Sequence, residues 1–288
     1  MDIVPQLVAN SIIAGSVYAL VGLGFTLIYG AVRFFDLGYG VFTAVGGYTV
    51  FFLSKMLGLP VLPSVVLGVL VAGLLGFVVN IIVYKPIRKR GASNLVLLVA
   101  SLGVLTMLQA VIAILFTSQF QTLSQNIVGQ RIYNIFGGII TEIQVIILLS
   151  AFGVMVALAL LLKKTKFGKA VRAISDDEEV AKTIGINTGK IIGYVFFIGS
   201  AIAGLAGILI GFDTGIEPTM GLALLLKGVI AAIIGGVGNI YGAVLGAFLL
   251  GFVENFGIWQ ISGEWKDAIA FILLTVFLIF RPQGILPR

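Results

Sequence analysis

Cysteine and histidine are both absent from this 288-residue chain. Without cysteine there is no disulfide framework and no thiolate nucleophile. Without histidine the commonest general base and the commonest metal ligand are missing as well. Charge is scarce, since Asp, Glu, Lys and Arg together make up only 10% of the residues. A Walker A loop, G-x-x-x-x-G-K-[ST], is also lacking. The nearest approach runs from Gly185 through Gly189 and Lys190 to Ile191; it is one residue short and has Ile where the Mg-binding hydroxyl belongs. The glycine-rich run GGVGNIYG carries no lysine. Any ATP and Mg chemistry therefore belongs to another chain, and no cofactor or metal is expected on this one. No pair of side chains forms an acid/base or nucleophilic constellation, so a membrane-embedded enzyme is not expected.

What the chain has in abundance is apolar surface. Its hydrophobic fraction is 59%, against roughly 45–50% for soluble domains. Several apolar runs reach the ~20 residues that cross a bilayer as a helix. Runs fall at about 7–32, 37–53, 61–84, 94–117, 142–162, 191–212, 222–236, 240–258 and 265–280. The second and seventh are short enough to be half-helices. The expected fold class is thus an all-α membrane protein, a polytopic bundle of eight to nine transmembrane helices filling residues 1–288 as one domain. The start, MDIVPQLVAN, has no basic n-region, which argues against a cleaved signal peptide.

The formal charge of +6 would suggest a nucleic-acid partner until the charges are placed. With nine crossings and the N-terminus outside, 14 basic residues fall on the inner side. Only Lys55, Arg131 and Lys266 fall outside, while Lys227 lies within a span. Basic residues in short loops are retained in the cytoplasm, so the C-terminus is expected there, in a prokaryotic plasma membrane. The partner of this charge is membrane lipid, not nucleic acid. Trp259 and Trp265 flank the outer loop before the last span, as expected for headgroup-level rings.

Eleven of the thirty charged residues crowd between Lys163 and Lys190, around TKFGKAVRAISDDEEVAKTIGIN (Thr165 to Asn187). Two short helices fit. Phe167, Val171 and Ile174 give the first an apolar face. Ser175, three before Glu178, has capping-box spacing for the second. Asp176, Asp177, Glu178 and Glu179 suit its first turn. Val180, Ala181 and Ile184 supply its apolar side, and Gly185 its stop. Periodicity alone leaves two readings open: a solvated loop lying on the headgroups, or a helix pair built for docking.

Glu179-Val180-Ala181 followed by Gly185 resembles the E-A-A-x-x-x-G element of bacterial ABC importer permeases. The surrounding segment is similar to the cytoplasmic loop of the branched-chain amino acid permeases. GSVYALVGLGFTLIYGAVRFFDLGYG (Gly15 to Gly40), LKGVIAAIIGGVGNIYGAVLGAFLLG (Leu226 to Gly251) and FRPQGILPR (Phe280 to Arg288) resemble that family's other landmarks, in order. The similarity spans essentially the whole chain and is greatest to the shorter, H-type member of the paired H and M permeases. It implies an importer subunit for branched-chain or other hydrophobic amino acids. Its implied partners are a second permease (M-type or a second copy), two cytoplasmic ATPases and an extracytoplasmic binding protein. Segment 163–190 would then be the ATPase-coupling element, with Gly168, Arg172, Ala173, Ser175, Glu178, Glu179, Ala181 and Gly185 as its residues. Where the family has an Asn-Phe-Ala-His-Gly-like run, this chain reads Asp36-Leu37-Gly38-Tyr39-Gly40. Urea or a short amide is therefore an alternative substrate, and an ion-gradient carrier an alternative from another class.

Further candidates sit near spans. Arg33 and Asp36, three apart, are placed for a mutual ion pair. Lys227, early in a short span, is placed to snorkel outward, with a substrate carboxylate as its other possible partner. Tyr18, Asp36, Tyr39, Lys227 and Glu254 are the pathway candidates. Asp213 and Glu217 lie on the outer rim, where a binding protein could dock. Gly238, Gly242 and Gly246 recur every four residues, and Gly235-Gly236 precede them; this small-residue stripe suits close helix packing.

Overall fold

The structure is a computed structural model that describes residues 3–123, 132–135, 137–259 and 261–286. Arg131 and Arg288, two of the basic residues in the charge count, lie outside that set. Twelve α-helices are formed among the described residues. The first is α1 (Ile3–Val32). A 3-10 turn (Leu37–Gly40) leads into α2 (Val41–Phe51), which ends in a π turn. Then come α3 (Val61–Val79), a second π turn, α4 (Lys85–Lys89) and α5 (Asn94–Phe116). Strands β1 (Ile132–Ile135) and β2 (Gly138–Thr141) form a hairpin before α6 (Glu142–Lys164). The charged segment gives α7 (Lys166–Asp176) and α8 (Glu178–Thr183). The chain closes with α9 (Thr188–Asp213), α10 (Met220–Gly235), α11 (Ile240–Gly257) and α12 (Lys266–Phe280).

All nine expected apolar segments are helical, and seven are long and apolar enough to span a membrane. The second reaches 20 residues because the flanking 3-10 and π turns extend it to Leu37–Met56. The seventh, α10, stays short at 16 residues, as does α12 at 15. The β hairpin was not expected. It occupies the polar loop before α6 and is held to α1 by Gln6, whose side chain bonds both the amide and the carbonyl of Ile139.

Helix α1 is apolar on every side, the pattern of a helix surrounded by others. It packs on α9, α10 and α11, and 89% of its most apolar window is buried, against 17% for α6. The core of the bundle is therefore α1, α2 and α9–α11, with α6 facing outward. Lipid provides no hydrophobic drive between helices, so the contacts rely on close backbone approach. A Cβ on Gly22 would stand 3.1 Å from the Gly228 carbonyl, and one on Gly40 would meet Gly221 at 2.6 Å. Gly235 faces Gly242, and Gly246 faces Ala231, in the same manner.

Gly238 does not belong to that stripe. It lies in the turn between α10 and α11 with φ +91°, as does Gly236 at +112°. Both conformations are ones that glycine adopts without a Cβ clash. Asn239 then caps α11 by accepting from the amides of Tyr241 and Gly242. A helix that stops as early as α10 leaves carbonyls without partners, which an apolar surrounding makes costly. The C-terminal tail supplies those partners: Ile285 N–H donates to the Ile234 carbonyl and Leu286 N–H to that of Gly235.

Candidate functional site

The basic end of the bundle carries the coupling candidates. Thr165 caps α7 by accepting from the Gly168 amide at 3.0 Å. Any side chain on Gly168 would run into the backbone of Leu161 and Leu162, so the turn from α6 into α7 requires glycine. Arg172 reaches back to donate to the Leu162 carbonyl at 2.6 Å. Val171 and Ile174 are buried beneath α7, as the spacing predicted, with Phe167 and Ala173 half-buried. At its far end α7 is fastened to α1: Ser175 Oγ donates to the Gly30 carbonyl, and Arg33 donates to the Ser175 carbonyl, each at 2.5 Å.

Two expectations are corrected here. Ser175 does not cap α8, because it lies inside α7 and its hydroxyl is committed to Gly30. The cap is Asp177, which accepts from the Glu179 and Val180 amides. Arg33 and Asp36 do not pair either. Arg33 turns to α7, while Asp36 is fully buried and accepts from the Tyr84 hydroxyl at 2.7 Å. One Asp36 oxygen is thus engaged within the fold, while its other oxygen is buried without a hydrogen-bond partner among the described residues.

Helix α8 is held from one side only. Glu178 accepts from Arg88 of α4 at 2.5 Å and pairs with Lys182 at 2.9 Å. Partial burial acts to raise the Glu178 carboxyl, but the Lys182 bond and the Arg88 charge outweigh it and hold it below its ordinary value. Ala181 is buried. Gly185, at φ +88°, ends the helix: its amide returns to the Lys182 carbonyl and that of Ile186 to Ala181. That pair of bonds is a Schellman stop. The expected apolar side is split in two. Ala181 packs inward, whereas Val180 and Ile184 are 56% and 67% exposed, with Glu179, Thr183 and Gly185 exposed beside them.

The pathway candidates separate into two groups. Tyr18, Lys227 and Glu254 meet toward the opposite end of the bundle. Glu254 is fully buried, accepts from Tyr18 Oη at 2.7 Å and is ion-paired with Lys227. Lys227 also reaches Asp267 at 2.8 Å, and Lys266 stands 3.8 Å from Glu254. Lys227 is therefore anchored by two carboxylates instead of snorkelling. Asp36 and Tyr39 lie apart from this cluster; the Tyr39 hydroxyl donates to the Val21 carbonyl. Beside the cluster is a cavity of about 320 Å³. Asn10, Tyr18, Gln144, Asp213, Asn255 and Lys266 give it polar groups, and Ile13, Val17, Ile210 and Leu224 give it apolar walls. Asp213 is positioned by Gln144, whereas Glu217 is exposed outside the cavity.

Sequence reasoning missed Arg88, Tyr84, Lys266 and Asp267 as partners. The last two were legible only as rim charges, because their contacts join segments far apart in the chain.

Seven long apolar helices among the described residues, with a helical pair packed at the basic end, are the architecture of a multi-pass membrane protein. The chain belongs to the family of branched-chain amino acid transport system permease components, whose model matches residues 7–278. It is 32% identical to the high-affinity branched-chain amino acid transport system permease protein BraD of Pseudomonas aeruginosa, over 98% of this chain and 95% of that one. LivH of Escherichia coli is 31% identical at the same coverage. The probable LivH of Methanocaldococcus jannaschii is 29% identical over 97% and 91%. None of these relatives is named as a gradient-driven carrier or as a urea or amide transporter. Among solved structures, PsaBC from Streptococcus pneumoniae in complex with Fab has a chain of like fold, with TM-score 0.53 and 16% identity over 98% of this chain and 93% of that one.

Proposed function

We propose that this chain is a transmembrane subunit of an ATP-driven importer of branched-chain amino acids, with α8 as its ATPase-docking helix. The observation that carries this reading is the exposed apolar pair Val180 and Ile184 on a short helix whose other face is tied down by Arg88. An apolar patch turned to water on a rigidly held helix marks a protein contact. The basic end is then cytoplasmic, which puts the C-terminus inside and the N-terminus outside. ATP and Mg are bound by two ATPase subunits, one of them seated on α8. A second permease, related or identical, completes the translocation path, and an extracytoplasmic binding protein delivers substrate to the opposite end.

The cavity beside Tyr18 suits an aliphatic amino acid on its way through. Lys266 attracts a carboxylate, Asp213 an ammonium, and the apolar walls an aliphatic side chain. Two variants test the docking reading. Val180→Asp and Ile184→Asp change only exposed positions, so the permease should reach the membrane normally yet fail to co-purify with the ATPase and fail to import leucine. Co-purification at the wild-type level by both variants would remove α8 from the docking surface.

A further inference from the structure

At the basic end a second cavity, of about 400 Å³, opens where α4, α8 and the start of α9 meet. Lys85, Arg88, Lys89 and Lys182 line it, facing one carboxylate, Glu178. Arg88 and Lys182 both pair with that carboxylate, so a single negative charge serves two cations. Lys85 and Lys89 have no ion-pair partner among the described residues. Thr188 also lines the cavity; it is only 5% exposed, and its hydroxyl makes no hydrogen bond among the described residues. Like charges gathered in one recess repel unless an anion enters. The cavity thus holds an excess of positive charge and a hydroxyl free to donate into it.

We propose that this cavity binds a phosphate group. A phosphate offers several acceptor oxygens at once, which suits two lysine point charges, an arginine fork and a hydroxyl donor. Two sources carry that chemistry: the headgroup of an anionic phospholipid and inorganic phosphate in the cytoplasm. Lys85 and Lys89 lie in the last turns of the third long span, Val61–Lys89, which puts them at headgroup depth. The bound group ties α4 to α8 by adding a shared anion to the Arg88–Glu178 contact. Glu178 and Lys182 occupy one face of α8, and Val180 and Ile184, two positions on, point the other way. Phosphate and ATPase therefore hold opposite faces of one helix. The inference shares with the proposed function only the cytoplasmic assignment of this end.

The test uses the full chain alone, without ATPase or amino acid, so its result is independent of the docking and substrate readings. The protein is placed in nanodiscs of phosphatidylcholine, in the same discs with inorganic phosphate at matched ionic strength, and in discs containing phosphatidylglycerol. Amide hydrogen exchange is followed across residues 178–186. One or two lysine–phosphate contacts should slow exchange there by about fivefold to thirtyfold. Slowing only with phosphatidylglycerol assigns the headgroup; slowing with inorganic phosphate assigns the free anion. Lys85→Gln with Lys89→Gln should erase the effect in either case, and Thr188→Val should weaken it. Unchanged exchange in both phosphate arms, or equal slowing in the double variant, overturns the proposal.

Discussion

The buried carboxylate of Glu254 permits a quantitative test of how the end of the bundle opposite α7 and α8 is held. Lys227 is 11% exposed and Glu254 not at all, so their ion pair is largely removed from water. Taking away one partner of a buried pair leaves an uncompensated charge, at a cost of about 3–5 kcal/mol. In Lys227→Met the carboxylate keeps the Tyr18 hydroxyl at 2.7 Å and Lys266 at 3.8 Å, so we expect the lower end, about 3 kcal/mol. Asp267 is 76% exposed, and Asp267→Asn should therefore cost less than about 1 kcal/mol. Adding Glu254→Gln to Lys227→Met removes the stranded charge and retains an acceptor for Tyr18. The double variant should accordingly be more stable than Lys227→Met alone. Thermal unfolding in nanodiscs can be followed by fluorescence of Trp259 and Trp265, which flank the turn into α12. A loss of 3 kcal/mol corresponds to a midpoint lower by roughly 6–12 °C. A Lys227→Met protein no less stable than the double variant would refute the argument that Glu254 is charged and compensated by Lys227.

Arg88→Ala should loosen α8 by about 1–2 kcal/mol, because the Arg88–Glu178 contact is charge-assisted but only partly buried. Since Glu178 is held below its ordinary 4.5, its stabilisation is complete above that pH and is lost as pH falls through the lowered value. Side-chain NMR should give a Glu178 midpoint below 4.5 in the wild type and a higher one in Arg88→Ala; equal midpoints would contradict the pairing. Leu286→Pro removes the amide that satisfies the last carbonyl of α10. It should cost about 1–3 kcal/mol of stability, whereas Leu286→Ala, which keeps the amide, should cost less.

The helical segments were legible because bilayer-length apolar runs have few other ways to satisfy their backbone. The basic side and the two-helix form of 163–190 were legible for similarly local reasons: charge position, periodicity and a terminal glycine. Ser175 misled because a capping-box spacing reads only three residues, while its hydroxyl answers to Gly30, 145 positions away. Arg33 and Asp36 misled in the same way, each finding a distant partner better placed than its neighbour. Gly238 shows the complementary failure. A four-residue repeat marks a packing stripe only where the helix is continuous, and here the chain turns before Asn239. The C-terminal run FRPQGILPR had no reading from composition at all; its amides acquire a purpose only once α10 is seen to stop at Gly235.

The same distant contacts decide how a push on the coupling segment would travel. Helix α7 has three attachments to the bundle: Arg172 and the Gly168 turn join it to α6, Ser175 and Arg33 join it to α1, and Phe167 meets Tyr194 of α9 edge-on. These attachments differ mechanically, because α6 is the least buried of the long spans and α1 the most. From Gly30 to Tyr18 α1 is one unbroken helix of twelve steps, about 18 Å, and at Tyr18 it bonds Glu254. A displacement of α7 relayed by α1 thus reaches the charged cluster, whereas one relayed by α6 reaches chiefly the lipid-facing side. Arg33→Met cuts the α1 route alone. Arg33 already sits at φ +55°, so methionine inherits the same backbone cost and only the bond to Ser175 is lost. With the Val180–Ile184 face untouched, ATPase binding should persist while leucine imported per ATP falls about fivefold or more, the lower bound of a typical coupling energy. An unchanged ratio would mean that α6 or α9, not α1, carries the load.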